Sequence, residues 1–230
     1  MPWPTAGPVR ILFIGNSLTF WCGGIDLMFR NWGFDAAAET IPGATLAKLW
    51  RSGRAKAKIL EGGWHIVVLQ DDLPEYPEKG DSASRLEVIC QQFNPVLSKF
   101  LELVKSVDAM PVMYMAHPYE RLAHTSLDDI CLAHKMAEKS HDGLKIAPGG
   151  LAHSLMKQIG MEDMSLLDED LEHPSEQGLY LHALCIVACI GREKLAGLQW
   201  APDGMPDSQV QMFKQIAVDS LEAWDRDVIT

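Results

Sequence analysis

Short apolar runs that alternate with helix-like stretches constrain this chain more than any other feature. The runs are Val9 to Ile14, Phe34 to Ile41, His65 to Gln70 and Met110 to Ala116, with a shorter fifth at Leu144 to Ala147. The first and third are continuously apolar at their centres and show no alternation with polar residues. That pattern suits a strand buried on both faces, as in a parallel sheet. Between the runs lie stretches with apolar residues every three or four positions. Phe20 to Trp32 carries Ile25, Met28 and Phe29, and Gly33 is its stop signal. Thr45 to Gly62 reads as mostly helical and polar on one side. Leu86 to Val104 reads as an amphipathic helix kinked at Pro95. Arg121 to His141, Leu151 to Ile159, Pro174 to Ile190 and Ser208 to Trp224 complete the helices, and Met164 to Leu167 reads as a short extended piece. Strands alternating with helices predict one α/β domain over residues 1–230, with a parallel sheet covered on both faces. A chain of 230 residues is long enough to bury such a core.

In sheets of this kind ligands bind at the carboxyl ends of the strands. Ser17 follows the first run, Gly43 the second and Gln70 the third, while His117 and Tyr119 follow the fourth. All five are expected on one rim.

The formal net charge of -11 argues against a nucleic-acid partner, which calls for a basic surface. It argues equally against adsorption to anionic membranes. No apolar run approaches the roughly 20 residues that span a bilayer. Met1-Pro2-Trp3-Pro4 lacks a charged start followed by an apolar stretch, so no signal peptide is visible. The five cysteines, Cys22, Cys90, Cys131, Cys185 and Cys189, match no zinc ribbon or CxxC pair. Buried, reduced thiols and a cytoplasmic location are the expectation. Homo-oligomerisation is left open.

Two motifs carry chemistry. Gly15-Asn16-Ser17-Leu18-Thr19 places a serine where a strand turns into a helix, and Asp170-Leu171-Glu172-His173-Pro174-Ser175 places an acid three residues before an imidazole. The backbone N–H groups of a first helical turn have no partners within the helix and can face a developing oxyanion. An aspartate folded back onto one nitrogen of His173 fixes the tautomer, leaving the other nitrogen to take a proton from Ser17. Pro174 suits the first helical position behind them. Each motif also has a plain reading: Ser17 as a helix cap, Asp170 as a capping acid beside an exposed histidine. Asp168 competes with Asp170 for the role of the acid. A metal site has little support, since no HExxH or second histidine at ligand spacing accompanies the pair.

Taken together, the two motifs resemble those of the SGNH hydrolases, also called the GDSL esterase/lipase family. The likeness includes Glu176-Gln177-Gly178-Leu179-Tyr180-Leu181 behind the second motif and the order of elements from Val9 to Ile190. The resemblance implies a flavodoxin-like, three-layer α/β/α fold with five parallel strands. It also implies Ser17 as nucleophile, with Asp170 and His173 completing a triad. Ser17 N–H, Gly43 N–H in Ile41-Pro42-Gly43-Ala44 and the Gln70 side chain would form the oxyanion hole. Asn16 stands where the family usually has aspartate. Val68-Leu69-Gln70-Asp71-Asp72 stands where it usually has Gly-x-Asn-Asp, and Gln70 could equally be a sheet-end residue bonding only backbone. Asn16, His117 and Tyr119 are expected to contact substrate, and Phe20, Trp21, Tyr76 and Tyr119 are candidates for a pocket wall. No cofactor or metal is implied.

The expected activity is hydrolysis of short acyl esters, acetyl esters of carbohydrates first, through an acyl-enzyme. A lysophospholipase or thioesterase is the alternative within the enzymes. An inactive relative that only holds a ligand is the alternative outside them. A phosphate-binding flavodoxin-like protein fits poorly, because the loop after the first run is poor in glycine.

Overall fold

The computed structural model describes residues 7–72, 96–118, 126–159 and 166–226. Five strands form one parallel sheet: β1 (Arg10–Gly15), β2 (Asp35–Thr40), β3 (Ile66–Leu69), β4 (Met110–Tyr114) and β5 (Lys145–Ala147), in the order β2-β1-β3-β4-β5. That order places the first reversal of direction between β1 and β3, and pairs Ile14 with Leu69. The residues just beyond, Gly15 and Gln70, therefore leave the sheet side by side. Ile11 to Ile14, Ile66 to Leu69 and Val112 to Tyr114 are all buried, which is why they are apolar throughout. β2, an edge strand, is more exposed and reads Asp-Ala-Ala-Ala-Glu-Thr.

The helices are α1 (Ser17–Phe20), α2 (Ile25–Asn31), α3 (Leu46–Ser52), α4 (Arg54–Leu60), α5 (96–106), α6 (Leu127–Ser140), α7 (Gly149–Gln158), α8 (Glu176–Gly191) and α9 (Asp207–Asp225). Right-handed crossovers put α2 and the α3–α4 pair on opposite faces of the sheet. On one face α2 packs on α8, which also contacts β5, α7 and α9. Every residue of α8 from Gly178 to Ile190 is buried, so this helix is a central core element. Tyr180 and His182 lie within it.

Several boundaries depart from the sequence reading. The helix expected over Phe20–Trp32 breaks into α1, a 3₁₀ turn at Trp21–Gly23 and α2, because Cys22, Gly23 and Gly24 all take positive φ. The stretch Thr45–Gly62 breaks at Gly53, which caps α3 in the left-handed conformation before α4 begins. Helix α7 starts at Gly149 instead of Leu151: a methyl group on Gly150 would lie 2.4 Å from the Ala116 carbonyl oxygen, so glycine permits the helix to approach the end of β4. Pro174 is not the first helical residue of α8. It bridges Leu167, and the Ser175 hydroxyl caps the helix by accepting from Gly178 N–H. The segment 86–95, with its kink at Pro95, lies outside the described residues. Cys131, Cys185 and Cys189 are buried free thiols as expected, whereas Cys22 is exposed on the 3₁₀ turn. Among the described residues no helix is long and apolar enough to cross a membrane.

Candidate active site

Ser17 occupies the first position of α1 and is half-buried. It is not the helix cap. Asn16 takes that role, its side-chain oxygen accepting from Leu18 N–H at 3.0 Å. At 1% exposure, Asn16 supports the turn from within. Behind the turn sits Gln70, brought there by the β1–β3 register. Its carbonyl oxygen accepts from Asn16 N–H at 2.8 Å and from the Thr19 hydroxyl at 3.0 Å. Its amide nitrogen donates to the Asp71 carbonyl, and the residue is 1% exposed. Through these bonds the Gln70 amide clamps the serine turn to β3. The clamp needs a bare backbone at Gly15, where a Cβ would lie 2.3 Å from Thr19 Oγ1 and 2.5 Å from Gln70 Oε1.

Gly43 lies in an exposed turn with φ of 55°, a left-handed value that favours glycine. The turn is anchored to the serine segment by Ile41 N–H donating to the Gly15 carbonyl at 3.1 Å, and it closes with Ala44 N–H on the Ile41 carbonyl. Asp71, which the sequence reading did not single out, braces the same region. Its carboxylate accepts from Leu46 N–H at 2.6 Å and from Asp72 N–H at 2.9 Å. Burial pushes this carboxyl up to about 7, against the two N–H groups that pull it down. An acid at the end of a central strand, one residue from a clamp, is the sequence signal that points to it.

The second motif folds as a tight loop. Asp170 Oδ2 and His173 Nδ1 are 2.6 Å apart, and Asp170 Oδ1 accepts from the backbone N–H groups of Glu172 and His173 at 3.0 and 2.9 Å. Leu171 takes a φ of 57° to allow this fold-back. Asp168 is engaged elsewhere, accepting from Trp21 Nε1 at 2.6 Å and from Glu169 N–H at 2.8 Å. The acid that holds His173 is therefore Asp170.

Trp21 joins the two motifs. Its ring stacks on the His173 imidazole with centroids 3.8 Å apart and planes 12° from parallel. One face of the imidazole is thus covered by a residue four positions after Ser17, itself fixed by Asp168. The Cys22 thiol adds a weak bond to the Pro174 carbonyl at 3.6 Å. Among the described residues no hydrogen bond joins the Ser17 hydroxyl to the His173 ring, and Ser17 N–H and Gly43 N–H donate to no described group.

His117 is not on the rim. It is 1% exposed, and its Nε2 bonds the Glu172 carbonyl at 2.9 Å. It buttresses the loop from within and does not line a pocket, which corrects its assignment as a substrate contact. Tyr119 and Tyr76 lie outside the described residues. A cleft of about 320 Å³ bordered by Lys145, Cys189, Arg192 and Trp224 opens at the start of β5. That is the opposite end of the strands from Ser17, so it is no part of this site.

No family model matches the chain, and no curated protein matches it. Solved structures do. A candidate SGNH hydrolase from Slackia heliotrinireducens superposes with a TM-score of 0.63 at 24% identity, over 80% of this chain and 100% of that one. A DUF4886 family protein from Bacteroides uniformis gives 0.72 at 14% identity, over 97% of each chain. A catalytic mutant of an acetylxylan esterase from Geobacillus stearothermophilus gives 0.56 at 14% identity, over 82% of this chain and 97% of that one. The chain has the three-layer α/β/α fold of these solved structures.

Proposed function

We propose that this protein is a serine hydrolase of carboxylic esters. The observation that carries the reading is the Asp170–His173 pair, held by Trp21 against the turn that presents Ser17. Ser17 Oγ attacks the ester carbonyl carbon as His173 Nε2 takes its proton. Asp170 accepts from Nδ1–H and stabilises the imidazolium that forms. The negative charge on the carbonyl oxygen is met by Ser17 N–H and Gly43 N–H. Collapse of the tetrahedral intermediate breaks the bond to the leaving oxygen, which receives the proton from His173. Water activated by the same imidazole then hydrolyses the acyl-enzyme.

A short acyl group, acetyl above all, is the substrate class we assign, with a carbohydrate as the alcohol. The low aromatic content of 8% supports this, as does the acetylxylan esterase among the structural neighbours. The residues assigned to the chemistry need no metal. Ser17→Ala should lower kcat on p-nitrophenyl acetate by roughly 10³-fold or more. Turnover near that of the unmodified protein would show that Ser17 is not the nucleophile and overturn the reading.

A further inference from the structure

Three histidines meet in the interior behind the Glu172–His173 backbone. His117 follows β4, His153 lies on α7 and His182 on α8, at 1%, 4% and 0% exposure. Ring centroids are 4.5 Å apart for His117 and His153, 4.8 Å for His153 and His182, and 5.2 Å for His117 and His182. Apolar side chains would fill the same space without the cost of burying polar nitrogens. The backbone is shaped to these rings. A methyl group on Gly149 would lie 2.7 Å from His182 Cδ2, and one on Gly178 would lie 3.3 Å from His153 Nε2 and 2.0 Å from the Leu166 carbonyl oxygen.

One nitrogen of His117 and one of His182 are engaged in hydrogen bonds. His117 Nε2 faces the Glu172 carbonyl, so it carries the hydrogen and Nδ1 holds the lone pair. His182 Nδ1 bonds the Tyr114 hydroxyl. The opposite nitrogens, His153 Nε2 and His182 Nε2, are buried and have no hydrogen-bond partner among the described residues. Burial pushes His153 and His182 well below the ordinary histidine range, which keeps both rings neutral and able to donate a lone pair at neutral pH.

We propose that His117, His153 and His182 bind one borderline divalent transition-metal ion, zinc or a close relative. Each ring offers a nitrogen within 4.8 Å of the other two, so a central point lies at most about 2.8 Å from each (the circumradius of a triangle with 4.8 Å sides). Zinc–imidazole bonds measure about 2.0–2.1 Å, so each nitrogen moves inward by about 0.8 Å or less. The rings are stacked, His117 lying 12° from His153 and 25° from His182, so loading also turns the rings about their Cβ–Cγ bonds. The Glu172 carbonyl and Tyr114 hydroxyl stand behind the ligands, where outer partners orient metal-bound imidazoles. Bound there, the ion ties α7, α8 and the end of β4 beneath the His173 loop. It takes no part in the ester chemistry, and the assignment is independent of that reading.

The test uses the full chain stripped with a chelator and titrated with Co²⁺, then Zn²⁺. One equivalent of Co²⁺ should give the visible d–d absorption of a four- or five-coordinate ion, and Zn²⁺ should displace it. Zn²⁺ at a hundredfold excess over its Kd should raise Tm by roughly 5–10 °C. His153→Gln and His182→Gln should each weaken binding at least tenfold, while His141→Asn, outside the cluster, should leave it unchanged. Absence of the cobalt band at one equivalent overturns the proposal, as do Gln variants that titrate like the unmodified protein. Should a Gln variant fail to fold, the cobalt spectrum and stoichiometry of the unmodified chain decide the matter alone.

Discussion

Gly15 shows how much of the site depends on single atoms. The Thr19–Gln70–Asn16 bonds that clamp the serine turn occupy the space where any Cβ would stand. Gly15→Ala should therefore cost about 1–3 kcal/mol of stability and lower kcat at least tenfold, because the clamp must open to admit the methyl. Gly33→Ala is the comparison. It has a φ of 85° and open space around it, so it should lose stability through backbone strain with kcat unchanged. Denaturant melts and initial rates on the two variants separate the effects. Asp170→Asn keeps the shape of the loop but not its charge, and should lower kcat by on the order of 10³–10⁴-fold. An unchanged rate would move the acid's role elsewhere. At this scale the sequence was legible wherever neighbours along the chain decide the contact. The three-residue spacing of Asp170 and His173 led to the observed bond. The partners of Gln70 and His117, Asn16 and Glu172, lie 54 and 55 positions away, so neighbours along the chain gave no sign of them. Strand position alone does not say whether a side chain at the end of a strand faces the rim or the interior.

Among the elements, α8 sets the frame: it lies at the centre of the helical layer and is buried on all sides from Gly178 to Ile190. Leu184 is 0% exposed, and Leu184→Ala should cost about 2–5 kcal/mol in chemical denaturation. Helix α6 carries a pH-sensitive element. Burial pushes His134 down to about 4, and its Nδ1 bonds the Ile130 carbonyl. Because its folded value lies below the unfolded value of about 6.5, the unfolded chain binds the proton first and stability falls as pH drops through that window. The unmodified protein should lose about 2 kcal/mol more than His134→Asn between pH 7 and pH 5. Equal losses in denaturant melts would show that this ring is not the cause. The continuous apolar runs of β1, β3 and β4 made those strands readable, and the three-and-four spacing did the same for α9. The breaks at Cys22–Gly24 and at Gly53 were hidden because periodicity continues across a left-handed residue. Only the backbone reveals that the helix axis has changed there.

Over the whole molecule, the strand order β2-β1-β3-β4-β5 gathers the site. It brings the ends of β1 and β3 together around Ser17, and the return of the chain through α7 delivers the Asp170–His173 loop onto Trp21. Alternation of strands and helices was enough to read a parallel sheet covered on both faces, but not the order of its strands. The three-histidine cluster was not readable, because positions 117, 153 and 182 come together only when β4, α7 and α8 are packed. This assembly should make one serine, Ser17, a nucleophile. That is tested most directly by treating the protein with a fluorophosphonate and locating the adduct by peptide mass spectrometry. Stoichiometric labelling at Ser17 is expected, slowed at least a hundredfold by His173→Ala in a folded variant. An unlabelled Ser17, or labelling that proceeds equally fast without the imidazole, would contradict it.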